Sequence, residues 1–137
     1  MIRLVKILVA AALVVTVSLA ALFMTAAPEP DAGVLMAITS APDPGSTPIH
    51  LQVWYPERRV AKRSSPLIVV SHGTGGNLID HQDTANALAK AGYVVVAIEH
   101  TGDNYRDTSH VGTGTHLAER PRHVSRTMDY MLRQWPE

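Results

Sequence analysis

The stretch from Pro66 to Asn77, Pro-Leu-Ile-Val-Val-Ser-His-Gly-Thr-Gly-Gly-Asn, constrains the fold of this chain more than any other. The consecutive apolar residues Leu67 to Val70 predict a buried strand, which then breaks into His72-Gly73 and a glycine-rich turn with helical sequence downstream. A continuous apolar strand of this kind belongs in a sheet covered by helices on both faces. The turn, with Gly73, Gly75 and Gly76, can aim bare backbone N–H groups at an anion, because glycine adopts the required conformations and has no side chain in the way. In acyl-transfer chemistry such donors stabilise the oxyanion of the tetrahedral intermediate.

The flanking sequence extends the pattern. Gly33 to Ser40 is mostly apolar and predicts a first strand, followed by the turn formers of 41–48. From Ile49 to Tyr55 the pattern alternates, with Ile49, Leu51, Val53 and Tyr55 on one side and His50, Gln52 and Trp54 on the other, which predicts a half-buried strand and an antiparallel hairpin. Pro56 to Ser65 is polar and basic and reads as a solvated loop. His81 to Ala91 predicts a helix with an apolar stripe at Ala85, Leu88 and Ala89, closed by Gly92 at the left-handed cap position. Tyr93 to Ile98 predicts a second buried strand, so strand, helix and strand form a βαβ unit with a right-handed crossover. Glu99 to His116 reads as a long loop, and Pro121 predicts the start of a second helix, with Val124, Met128, Met131, Leu132 and Trp135 on one face. The fold class expected is therefore α/β: an antiparallel hairpin leading into a parallel sheet.

Composition removes several functions. With 12 basic and 12 acidic residues in 137, the chain has no basic excess to displace counterions, so nucleic acid is not an expected partner. The absence of cysteine excludes disulfides, thiolate metal sites, a cysteine nucleophile and a lipidated cysteine. The N-terminus speaks to compartment: Arg3 and Lys6 precede an apolar stretch over 7–24, and Thr25-Ala26-Ala27 are small. Residues 1–27 read as an export signal or as an uncleaved inner-membrane anchor, 28–33 as a linker and 34–137 as the exported domain, periplasmic or secreted.

Other chemistries are weaker on the residues. The turn lacks the Gly-Lys-Ser/Thr ending of a P-loop and the spacing of a dinucleotide fold, so no cofactor is expected. His116, Glu119 and His123 have spacings that could converge on a metal, but Pro121 disfavours helix at Arg120 and predicts that His116 and Glu119 precede the helix; no metal site is expected, and the histidines read as solvated loop residues. Ser71 and His72 are adjacent on a strand, point to opposite faces and form no dyad. Glu99, His100 and Asp103 sit at a strand C-terminus, where α/β sites lie, and are candidates for the site rim, with Glu99 and His100 expected to fix the loop through hydrogen bonds.

Leu67 to Gly76, followed by Leu88 to Asp103 with its Ala-Ile-Glu-His-Thr-Gly-Asp ending, resembles the N-terminal half of an α/β-hydrolase, most similar to the dienelactone hydrolase-like and platelet-activating-factor acetylhydrolase-like branch. Arg120-Pro121 ahead of Met128-Asp129-Tyr130 resembles the helix that precedes the nucleophile in that branch. The resemblance covers roughly 34–135. It implies a strand order of first, second, fourth, third and fifth. It also implies that the backbone N–H of Thr74 is an oxyanion donor, that Gly73, Gly75 and Gly76 support the loop, and that His72 is a structural residue of the turn. The implied substrate is a small ester, lactone or acyl-lipid.

The departure is equally specific. The family carries its nucleophile in a Gly-X-Ser-X-Gly elbow on the next parallel strand, and no serine of this sequence has those flanking glycines. The nucleophile, acid and base implied by the resemblance fall outside these 137 residues. Three expectations follow. The first is a serine ester hydrolase by family, inactive as this chain alone and made by truncation or an incomplete gene model. The second is a non-catalytic membrane-anchored module that pairs with a partner through an open edge at Leu67–Ser71. The third is a pseudogene product.

Overall fold

The computed structural model describes residues 30–58 and 65–135. The leader at 1–27, the start of the linker and the basic residues Arg59, Lys62 and Arg63 lie outside the described residues. Among the described residues no helix is long and apolar enough to cross a membrane.

Four strands, β1 (Val34–Ala41), β2 (Ile49–Pro56), β3 (Leu67–Ser71) and β4 (Val94–Glu99), make one mixed sheet in the order β1-β2-β4-β3. β1 pairs antiparallel with β2, β2 antiparallel with β4, and β3 parallel with β4. This is an α/β fold with the strand order that the resemblance implies for its first four strands. Val53 faces Ala37 on one side and Val96 on the other, and Val96 in turn faces Val69, so the register carries apolar side chains across the sheet.

Two helices cover opposite faces. α1 (Gln82–Lys90) buries Ala85 and Ala89 against Trp54, Val95 and Ala97. α2 (Gly114–Arg133) buries Met131 against Leu51, Val53, Val96 and Ile98. The expected half-buried β2 is corrected here: with a neighbour on each edge and a helix on each face, it buries Gln52 and Trp54 as fully as Leu51 and Val53. β1 and β3 are the edge strands among the described residues, and β3 is only partly covered.

The end of α1 follows its sequence signal. Gly92 takes φ 99°, its N–H bonds to Ala89 O, and the Tyr93 N–H reaches Leu88 O at 3.1 Å, the paired closure of a glycine-capped helix. The start of α2 does not follow it. The helix begins at Gly114, capped by the Thr113 hydroxyl, which accepts the His116 N–H, and it runs through Pro121. His116 and Glu119 therefore lie in the helix and not before it. Pro121 has no N–H for the Leu117 carbonyl, but Leu117 is exposed, so water can satisfy that group. The helix is also rotated from the expected face: Met131 is buried, while Met128 and Leu132 are exposed.

Candidate functional site

The site is built where β3 and β4 end. After Ser71, the chain turns through Gly73 to Gly76, closed by the Gly76 N–H donating to Gly73 O at 3.1 Å. Gly75 takes φ 69°, a left-handed conformation that lets the chain reverse there. The amides of Gly75 and Asn77 are bonded to the carboxylates of Asp103 and Asp80 at 2.8 and 2.9 Å. By contrast, the N–H groups of Gly73 and Thr74 have no acceptor among the described residues, and both residues are exposed.

Asp103, from the loop after β4, organises this turn. One carboxylate oxygen accepts the Gly75 N–H; the other accepts from Arg120 and, at 2.8 Å, from His116 Nε2. Burial pushes the Asp103 carboxyl up, but the Gly75 amide and the Arg120 and His116 side chains outweigh it and hold the group below the usual carboxylate range. Arg120 also donates to the His72 carbonyl and, at 2.8 Å, to Ser71 Oγ. One carboxylate and one guanidinium thus grip the turn from both ends.

A buried histidine layer lies beneath. His72 Nδ1 donates to Gly73 O at 2.6 Å and its Nε2 accepts the His100 amide at 3.2 Å, which fixes its tautomer. His100 is fully buried, with Nε2 2.8 Å from Ser71 Oγ and Nδ1 3.1 Å from His123 Nδ1. Ser71, His100 and His123 thus form one hydrogen-bonded chain, its direction set by the His100 tautomer, with Arg120 donating into Ser71 Oγ at its outer end. His123 is left with Nε2 facing the Asp43 carboxylate at 3.7 Å, without a hydrogen bond. Burial, with the charges of Arg120, His72 and His123, pushes His100 down to about 3. Burial likewise lowers His123, against the opposing pull of Asp43.

Several expectations are corrected by this arrangement. His123 is fully buried and is not a solvated loop histidine. Ser71 does meet a histidine, but it is His100, just past the end of the neighbouring strand. Sequence spacing could not show this contact, since it arises from the β3–β4 register in which Ser71 faces Ile98. His100 bonds to His72, Ser71 and His123, whereas the Glu99 side chain makes no hydrogen bond among the described residues and lines a separate cleft. The roles of Arg120, His116 and Asp43 were missed for the same reason: each acts across a long stretch of chain. Among the described residues no set of three or more metal-ligating side chains converges.

No family model and no curated protein matches the sequence. Among solved structures, the chain is similar to an acetyl xylan esterase from Paenibacillus sp. R4, with 23% identity and a TM-score of 0.48 over 57% of this chain and 24% of that one. It is also similar to a protein assigned as a dienelactone hydrolase from Klebsiella pneumoniae subsp. pneumoniae MGH 78578, with 21% identity and a TM-score of 0.47 over 72% of this chain and 42% of that one. The chain thus spans less than half the length of either.

Proposed function

We propose that this chain is the N-terminal portion of a serine ester hydrolase of the α/β-hydrolase type, exported, and that it contributes the Thr74 backbone N–H as an oxyanion donor for a small ester, lactone or acyl-lipid. The observation that carries this reading is the contrast within the turn: the Gly75, Gly76 and Asn77 amides are engaged, while Thr74 N–H is exposed and has no acceptor among the described residues. A donor held rigidly and left open needs no reorganisation when negative charge develops beside it. Gly73, Gly75 and Gly76 shape the approach, and His72 with the Asp103–Arg120 pair holds it. Glu99 ends β4, and His100 and Asp103 follow it in the loop beside the turn.

The nucleophile, acid and base of this reaction are proposed to come from polypeptide outside these 137 residues. The test is the coding DNA beyond codon 137, read in all frames. A Gly-X-Ser-X-Gly followed by an aspartate and a histidine supports the reading; their absence from every frame overturns it. Export is proposed from residues 1–27 alone and is checked by mass spectrometry of the mature N-terminus. An intact Met1 in a soluble cytosolic fraction would count against it.

A further inference from the structure

The histidine layer beneath the turn is built to exclude added protons. The rings of His72, His100 and His123 form one file, with centroids 5.1 Å apart in the first pair and 5.3 Å apart in the stacked second pair. The contact between His100 Nδ1 and His123 Nδ1 needs one N–H and one lone pair, so it breaks if both rings are charged. Charging His100 alone places its Nε2–H on Ser71 Oγ, which already accepts from Arg120, so two cations converge on one hydroxyl. His72 acts with the pair, because its Nε2 accepts the His100 amide and cannot do so once protonated. The carboxylates around the layer are already engaged. Asp103 serves the Gly75 amide, Arg120 and His116, and Glu119 bonds to His110 at 2.6 Å. Asp43, which faces His123, is shared with Arg122 at 2.9 Å and Arg126 at 3.9 Å.

The part of α2 beside this layer can part from the sheet without the rest. Between Gly114 and His123 the helix gives no side chain to either apolar cluster; it joins the core further along, through Val124, Tyr130 and Met131. Pro121 removes one bond of the helical ladder between the two halves. The first half reaches the turn through polar contacts, Arg120 to Asp103, Ser71 and the His72 carbonyl, and His116 to Asp103. A segment with few buried apolar contacts opens below the free energy of global unfolding. We propose that His100 and His123 form an acid-sensitive latch: protonation at mildly acidic pH frees the first half of α2 from the Gly73–Gly76 turn, and with it the Asp103 grip on Gly75, while the sheet stays folded. In the open form both rings reach water, and Arg120 no longer stands across Ser71 from His100. His110 and His116 lie against Glu119 and Asp103 and pull the other way, so the test isolates His100. The latch does not depend on the ester-hydrolase reading, since it consists of contacts within this chain.

The experiment is amide hydrogen exchange of the 137-residue chain at about pH 7.5 and about pH 5, in water and in low urea, with rates corrected for the intrinsic effect of pH. The Gly75 and His100 amides, bonded to Asp103 and His72, report the latch. The Val53 and Val96 amides in the central strands report global unfolding. A histidine released from burial to its ordinary value of about 6.5 favours the open form by about 30-fold between these two pH values. Protection of Gly75 and His100 should therefore fall by at least about 30-fold, with little dependence on urea, while Val53 and Val96 stay better protected and lose protection as urea is added. His100→Gln should make the fall smaller by about that same factor. A fall of less than about threefold, a urea dependence at Gly75 and His100 as steep as at Val53 and Val96, or an unchanged response in a folded His100→Gln variant overturns the proposal. The unmodified chain alone decides the matter if His100→Gln does not fold.

Discussion

Arg120 joins the Asp103 carboxylate to the carbonyl of His72, so one guanidinium on α2 links the loop after β4 to the turn after β3. The carboxylate is almost wholly buried while the arginine is partly exposed. Removing the cation leaves a buried charge with only His116 and the Gly75 amide to satisfy it. Breaking such a pair is costly because of the uncompensated charge, not because the intact pair is worth much. Arg120→Met is expected to lower the unfolding free energy by about 2–4 kcal/mol in urea titration. Asp103→Asn together with Arg120→Met should recover part of that loss, and a double substitution as costly as the sum of the two singles would remove the argument.

The histidine layer makes stability depend on acid. His100 is pushed down to about 3, and His123 is lowered as well, so the folded state binds fewer protons than the unfolded state at mildly acidic pH. For a histidine of lowered folded value, the stability is fully present above the unfolded value of about 6.5 and is lost as pH falls from there toward the folded value. Asp103 has the same sign lower down: its contribution is present above about 3.9 and lost below it. The urea midpoint should therefore be level near pH 7 to 8 and fall steadily below about 6.5. His100→Gln should flatten the decline between pH 6.5 and 5, and a midpoint that rises on acidification would falsify the assignment.

Gly102 and Gly112 both take left-handed backbone, with φ of 71° and 78°, but their surroundings differ. A methyl group at Gly102 would run into the His110 ring, whereas at Gly112 it would meet nothing within 4 Å. Gly112→Ala should cost about 1–2 kcal/mol from the backbone alone. Gly102→Ala should cost about 1–3 kcal/mol more, because the His110 ring, bonded to Glu119, has to move. Thermal unfolding of the two variants side by side reads the difference.

Pro121 marks the clearest limit of what the sequence told. Local rules placed a helix start there, and the helix instead begins at Gly114. The strands, α1 and its Gly92 cap were legible because periodicity and capping are local properties of adjacent residues. The start of α2 was not, because tertiary contacts decide it: Arg120, His123 and Met131 are all engaged with the sheet or its loops. Pro121→Ala restores a donor for the Leu117 carbonyl and a good helix former in mid-helix. It should stabilise the chain by about 1–3 kcal/mol, and a loss of stability would mean that the helix depends on the proline.

The candidate site divides in the same way. The glycine turn and the acidic residue at 103 were visible, because Gly73, Gly75 and Gly76 are a compact signature. The grip of Arg120 on that turn spans 48 residues of sequence. Nothing in composition or spacing points to such a contact. It exists because α2 crosses the sheet beside the ends of β3 and β4. The same is true of Asp43, whose carboxylate from the β1–β2 connection meets Arg122 at 2.9 Å.

Ser71 Oγ lies 2.8 Å from the buried imidazole of His100, and its chemistry can be judged from that imidazole. A general base needs a proton affinity near the working pH to take a proton as the hydroxyl attacks. His100, pushed down to about 3 by burial and by the nearby Arg120, is far too weak a base for that at neutral pH. Arg120 also donates into Ser71 Oγ and occupies one of its lone pairs. Ser71 should therefore be a structural hydroxyl. A fluorophosphonate probe at pH 7 to 8 should leave it unlabelled, and Ser71→Ala should cost only about 1 kcal/mol for the lost hydrogen bonds. Covalent labelling at Ser71, abolished in His100→Gln, would reverse this conclusion and make Ser71 a nucleophile within the chain itself.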